Sequence, residues 1–317
     1  GLLRERGTPW VANRPVVAPV ASAAPLPAGG KGQAAAPAAL VATAAASPGN
    51  AAPAVDTLRG TATPATATAA ATPRMVDVLL DGQARLKGLF SLDAGGRTYS
   101  GKGRIEWPNG DVYEGDVAQG LRHGRGEFTW PSGQTYQGDW LQDQPTGQGS
   151  MRFANGNLYE GQIENGLPQG QGAMVYATGD IFKGRFAAGL PDGEGTYTWT
   201  NGQRCACQWV KGEATGRGQL RFANGNAYTG PLKHGLPQGE GEMQFASGDR
   251  YSGQFVEGNL DGKGTYTWQN GDSYVGQWKG GLKEGRGIMA WRGGDRWEGV
   301  YQADAQTEQG ELIRKKR

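Results

Sequence analysis

A glycine lattice with a period of 23 residues runs through most of this 317-residue chain and leaves few folds open to it. Counting from Tyr113 in steps of 23 gives Tyr136, Tyr159, Phe182, Cys205, Tyr228, Tyr251, Tyr274 and Trp297. With each start numbered zero, eight complete units run from Tyr113 to Arg296. Positions +11, +13 and +20 are Gly in all eight, and +2 is Gly in every unit but the one holding Cys207. A partial unit with Gly101, Gly103 and Gly110 precedes them, and another decays between Trp297 and Arg317. A second period of 69 lies on top: Phe128-Thr129-Trp130, Tyr197-Thr198-Trp199 and Tyr266-Thr267-Trp268 share one phase, as expected if three-unit blocks were copied. Self-similarity at such a period means stacked repeats, each buried against its neighbours, and not two ordinary globular domains.

The period reads as strand. At +4 stand Val117, Trp140, Ile163, Phe186, Trp209, Leu232, Phe255 and Trp278, and at +17 every residue is aromatic, from Trp130 and Phe153 to Trp268 and Trp291. Positions 0, +2, +4 and positions +13, +15, +17 alternate, which puts them on one face of two short strands per unit. The other face carries mostly Thr, Gln, Glu, Arg and Lys. Positions +19 and +20 read Asn-Gly in Asn155-Gly156, Asn201-Gly202, Asn224-Gly225 and Asn270-Gly271. That pair signals a tight hairpin in which both residues take positive φ. The stretch from +5 to +11 reads as a second, looser connection. Gly at +2 and +13 lies among large rings, where a missing Cβ lets a ring rest on backbone.

Residues 1–75 are of another kind. The first 74 contain 24 Ala and 10 Pro with one aromatic, Trp10. Proline interrupts nearly every stretch long enough for a helix, so this part is expected to be a disordered linker. The remaining divisions are a partial N-terminal capping repeat over 76–112, eight complete repeats over 113–296, and a decayed repeat with a basic tail over 297–317. The chain opens on Gly1 and not Met, so a processed or excised piece of a longer protein is expected, tethered to an upstream segment. Its compartment stays open between a bacterial cell envelope and the cytoplasm.

The repeat pattern resembles the MORN (membrane occupation and recognition nexus) repeat. The residues that carry the resemblance are Tyr159-Glu160-Gly161, Gly166, Gly170-Gln171-Gly172 and Tyr251-Ser252-Gly253, Gly258, Gly262-Lys263-Gly264. The departures are Asp143 at +7, Cys205 and Cys207. What the resemblance implies is an all-β, elongated, single-layered antiparallel array of hairpins. Two strands per unit at ~4.8 Å spacing would make roughly nine units about 85–90 Å long. Members are described as lipid-associated, as scaffolds and oligomerisation modules, and as peptide-binding grooves.

Little in the chain suggests chemistry. His123 and His234 fall at different positions of their units and have no Ser or Cys at a repeating position to activate. The Gly-x-Gly pairs precede strands and no Gly-Lys-Ser/Thr follows, so they make no phosphate loop. No enzyme, cofactor or metal site is expected. Cys205 and Cys207 share a strand face with Cα atoms ~6.5–7 Å apart, at the limit for a disulfide. Two reduced thiols, an intermolecular bridge and half a metal site all remain open.

Charge separates the partners. From Val76 onward there are 26 basic and 28 acidic residues, and four of the basic ones are the terminal Arg314-Lys315-Lys316-Arg317. The repeat body has no basic stripe for nucleic acid and no cluster for anionic lipid. The aromatic face is what remains, and the expected partner is a protein, a peptide or a second copy, with membrane lipid and glycan as alternatives. The residues expected to meet it are Trp140, Phe186, Trp209, Phe255 and Trp278 at +4, with Tyr136, Tyr159, Tyr228, Tyr251 and Tyr274 at position 0.

Overall fold

The computed structural model describes residues 72–80 and 83–315. The expected linker, up to residue 71, lies outside them, as do Lys316 and Arg317 of the basic tail. The described residues form 22 strands, from Arg74–Leu79 to Ala305–Ile313, and contain no helix. The all-β expectation holds, with two strands in each repeat. They fall into two compact units: residues 72–80, 83–200 and 209–212 make the first, and residues 201–208 and 213–315 the second. Within each unit the strands pair antiparallel along the sequence, as Arg74–Leu79 does with Arg85–Leu92 and Arg250–Val256 with Asn259–Thr267. One strand of the second unit is interrupted at Gln238, giving Leu236–Pro237 and Gly239–Gln244.

The two turns of each repeat exchange the roles the sequence suggested. The tight turn is at +6 and +7. Between strands Ile181–Ala187 and Leu190–Thr198 it is Ala188-Gly189, with φ of 49° and 83°. Ala187 pairs directly with Leu190 across it, so this is a two-residue loop with both φ values positive. At the Asn-Gly sites only the glycine has positive φ, for example 89° at Gly156. There Gly156 N–H donates to Phe153 C=O (2.9 Å) and Phe153 N–H to Asn157 C=O (2.9 Å). That is a type I turn followed by a left-handed glycine, the other common hairpin closure. Asn155 serves by its side chain, whose Oδ1 accepts from Asn157 N–H at 3.0 Å.

The core is one face of each strand: positions 0, +4, +9 and +15, with the first +17 rings. Gly at +13 is there for the ring above it. A Cβ on Gly264 or Gly172 would collide with the Tyr251 or Tyr159 ring. Hydrogen bonds tie each repeat to the next. The N–H at +7 donates to the C=O at +9 of the preceding repeat, as in Gly189 to Pro168 and Gly258 to Pro237, both 2.9 Å. The side chain at +21 accepts from the N–H at +18 of the following repeat, as in Asn157 from Ala177 (2.9 Å) and Asp272 from Arg292 (2.8 Å).

Candidate functional site

The rings sort by exposure according to their address. The ten rings expected to meet a partner are all buried: Tyr136 and Tyr274 are 0% exposed, Trp209 and Trp278 3%, and Trp140, Tyr159, Phe186, Tyr228, Tyr251 and Phe255 lie between. A position-0 ring meets +4 rings edge-on. Tyr251 lies 5.2 Å from Phe255 of its own repeat and 5.6 Å from Trp278 of the next, at 87° and 89°. Positive ring edges against negative faces make this packing favourable beyond the area it buries. The polar ends are satisfied at the same time. Tyr159 Oη donates to Gln162 C=O (2.7 Å) and Trp140 Nε1 to Gly126 C=O (3.1 Å). Burial pushes the tyrosine hydroxyls up, Tyr228 to about 12, so they stay neutral at physiological pH. These ten residues form a floor.

The +17 row lies on the same face, and its exposure changes along the chain. Trp107, Trp130, Phe153 and Tyr176 of the first unit are buried. Trp199, the last of the first unit, and Phe222, Phe245, Trp268 and Trp291 of the second are half-buried. Each is held by its backbone at the mouth of a turn. Trp268 N–H donates to Asp272 C=O (2.9 Å) and Gly271 N–H to Trp268 C=O (2.9 Å), and Phe245 and Trp291 repeat the pattern. The +21 to +18 bonds fix one turn to the next, so the row is set by backbone. Tyr266 packs between Phe245 (5.4 Å) and Trp268 (4.8 Å), while its hydroxyl donates to Asp249 Oδ2 at 2.8 Å.

A cation sits among the rings in each unit, at +9, where four of the eight complete repeats have Pro. In the first it is Arg122, 2% exposed, with its carbon 4.7 Å from the Trp140 ring, 5.3 Å from Phe128 and 5.9 Å from Trp107. Asp143, at +7 of the next repeat, accepts at Oδ1 from Arg122 Nε (3.0 Å) and from its backbone N–H (2.7 Å). Burial pulls the guanidinium below its ordinary value and the Asp143 carboxylate opposes this. In the second unit Lys283 Nζ lies 5.3 Å from Tyr301, 5.6 Å from Tyr274 and 5.7 Å from Trp268. The backbone N–H of Lys283 donates to Asp304 Oδ1 at 2.9 Å. Sequence reasoning noticed Asp143 as a departure but not its partner. The signal was there, because a cation replaces Pro at +9 wherever Asp replaces Gly at the following +7.

Among the described residues the two histidines lie apart, one in each unit. His234 Nδ1 lies 3.1 Å from Glu213, exposed, and His123 is half-buried on strand Leu121–Thr129. On the opposite face of the second unit a trough of about 720 Å³ runs over the bare backbone of Gly241, Gly253, Gly264 and Gly276. Arg217, Lys263, Glu240 and Glu242 rim it with mixed charge. Among the described residues no group of three or more His, Cys, Asp or Glu is placed to hold a metal ion, and no helix is long and apolar enough to cross a membrane.

The MORN repeat model matches residues 99–112, 113–135, 136–158, 159–181, 182–204, 208–227, 228–250, 251–273 and 274–296, more than half of the chain. None of the curated proteins matches. Among solved structures, the chain is similar to the SAS-4 (dCPAP) TCP domain of Drosophila melanogaster, solved with a proline-rich motif of Ana2 (dSTIL). The identity is 15% over 49% of this chain and 85% of that one, with a TM-score of 0.33. It is also similar to the wild-type TCP10 domain of Danio rerio CPAP, at 14% identity over 75% of this chain and 98% of that one, with a TM-score of 0.30.

Proposed function

The chain belongs to the MORN repeat family, and we propose that it is a non-enzymatic binding scaffold that holds a protein or peptide partner on its aromatic face. The observation that carries this reading is the half-buried row Phe222, Phe245, Trp268 and Trp291 in the second unit. These rings are held in line by backbone and keep apolar surface in water. The ten rings at 0 and +4 serve the site as its floor, and the +17 rings make the contact. Pre-set aromatic rings bind at low entropic cost, because their backbone is already ordered. The absence of a basic cluster in the repeat body favours a polypeptide over anionic lipid or nucleic acid.

The test is a random-peptide display selection on the full chain, followed by affinity measurement with the selected peptides. Trp268→Ala with Trp291→Ala should weaken binding by about 2 kcal/mol or more while the β-sheet circular dichroism is kept. Selected peptides that bind the double variant at full strength would remove the +17 row from the site. Flotation with anionic liposomes, or a sugar hit on a glycan array, in a chain that selects no peptide would replace the polypeptide reading altogether.

A further inference from the structure

The bond between Cys205 and Cys207 lies within one strand, Arg204–Val210, and ties no repeat to another. The +17 rings carry a second regularity, their spacing. Arg221, Gln244, Thr267 and Ala290 each precede one of the half-buried rings Phe222, Phe245, Trp268 and Trp291. The ladder sets them two strand steps apart. Arg221 pairs with Ala227 and Ala227 with Gln244, then Gln244 with Arg250 and Arg250 with Thr267, then Thr267 with Ser273 and Ser273 with Ala290. Two steps of ~4.8 Å put a ring about every 9.6 Å. An α-helix brings side chains back to one line every ~5.4 Å and a β-strand every ~6.8 Å, so neither keeps step with the row. A polyproline II chain turns in three residues of ~3.1 Å and returns every ~9.3 Å. About ten of its residues reach from Phe222 to Trp291 with a mismatch of about 1 Å.

Residues 9–27 of this chain carry that spacing in their sequence. They hold five of the nine prolines of residues 1–71, and Arg14 is their one charged residue. Counting by threes from Pro9 gives Ala12, Pro15, Ala18, Ala21, Ala24 and Pro27, a line of Pro and Ala alone. Val11, Val16, Val17, Val20 and Leu26 add apolar surface. We propose that residues 9–27 dock on the +17 row of the second unit as a polyproline II segment, and that they compete there with an outside peptide. This rests on the row being the contact surface, and it names what fills the row when no partner is bound. Aromatic rings in a line suit such a chain, and proline has little freedom left to lose on binding. Length permits the contact. Residues 28–71 extend to about 150 Å before the first strand begins at Arg74. That is more than the about 105 Å that 22 strands side by side at ~4.8 Å would take. The tether keeps the segment concentrated near the row, so modest contacts are enough to fill it.

The full chain tests this with two probes, a synthetic peptide of residues 9–27 and the peptides selected by display. Pro15→Gly, Pro19→Gly, Pro25→Gly and Pro27→Gly together disable the chain's own segment. Selected peptides should bind this variant about tenfold more tightly than the parent, because the row is no longer occupied. In calorimetry the synthetic peptide should bind the same variant saturably, and lose that binding when Trp268→Ala and Trp291→Ala are added. A synthetic peptide carrying Ala18→Glu and Ala21→Glu should fail to bind. Comparing the parent with the glycine variant changes nothing in the array, and it carries the test if the tryptophan variant fails to fold. Equal affinity of the selected peptides for parent and glycine variant would overturn self-docking. So would a glutamate peptide that binds as well as the native one. Either result leaves the contact surface standing where the selected peptides still need Trp268 and Trp291. Selected peptides indifferent to those two rings would remove the row, and self-docking with it.

Discussion

Arg122 and Lys283 occupy one address in the repeat, seven repeats apart, with an Asp at the same place in the following repeat, yet their surroundings differ. Arg122 is sealed under Trp107, Phe128 and Trp140, and its fork shares a carboxylate oxygen with its own backbone. Lys283 lies half-buried against Trp268, Tyr274 and Tyr301, in the unit whose +17 row is also half open. A planar guanidinium keeps directed hydrogen bonds while it stacks on rings, which suits a closed pocket. An ammonium is a strongly hydrated point charge and suits a pocket that keeps contact with water. The same address thus holds a cation either sealed among rings or half-buried beside them.

The largest effect should come from opening the sealed joint. Arg122→Ala leaves Asp143 without its cation partner beside a cavity among rings, and should cost about 3–5 kcal/mol in urea unfolding. Lys283→Ala, in the wetter pocket, should cost only about 1 kcal/mol. Equal losses would break the distinction. Alkaline titration should come next, and it should not distinguish the units. Tyr113 in the first and Tyr228 in the second are both raised above their ordinary value by burial. A folded value above the unfolded one means stability is complete below pH ~10 and is lost above it, for Tyr228 as the pH climbs toward about 12. Circular dichroism with tyrosinate absorbance across that range checks it, and a unit that keeps its sheet above pH 12 would show its tyrosines less buried than described. The smallest effect is expected from Arg122→Pro with Asp143→Gly. This pair restores the common repeat and should unfold within about 1 kcal/mol of the parent, because replacing a whole buried ion pair is often neutral. A loss as large as that of Arg122→Ala would mean the pair does more than pin the turn.

Much of this was legible in the sequence, because period and alternation are local. The strand count per repeat, the buried face and the glycine under the ring follow from residues such as Tyr251, Gly253 and Gly264 alone. The turn types were not legible. Asn-Gly fits two hairpin closures, and nothing about Gln142, Ala188, Lys211 or Glu257 announces positive φ. The antiparallel ladder forces it on them at φ of 48° to 49°. Ring exposure was equally hidden. Trp130 and Trp291 share an address, but one is buried and the other half-buried, and that depends on neighbours a repeat or more away. The signal for Arg122 was present but split between +9 of one repeat and +7 of the next.

The bonds that tie repeats together have a consequence for how such a chain can change its length. Asn157 reaches 20 residues ahead to Ala177 N–H, and Gly189 N–H reaches 21 back to Pro168 C=O. An insertion of any other length would send each of these to the wrong partner and turn ring addresses toward water. Adding or deleting a whole number of repeats reconnects every wire at the cut. The chain therefore grows in quanta, and the 69-residue echo in its sequence is a step of three quanta, which this wiring absorbs without a new bond being invented.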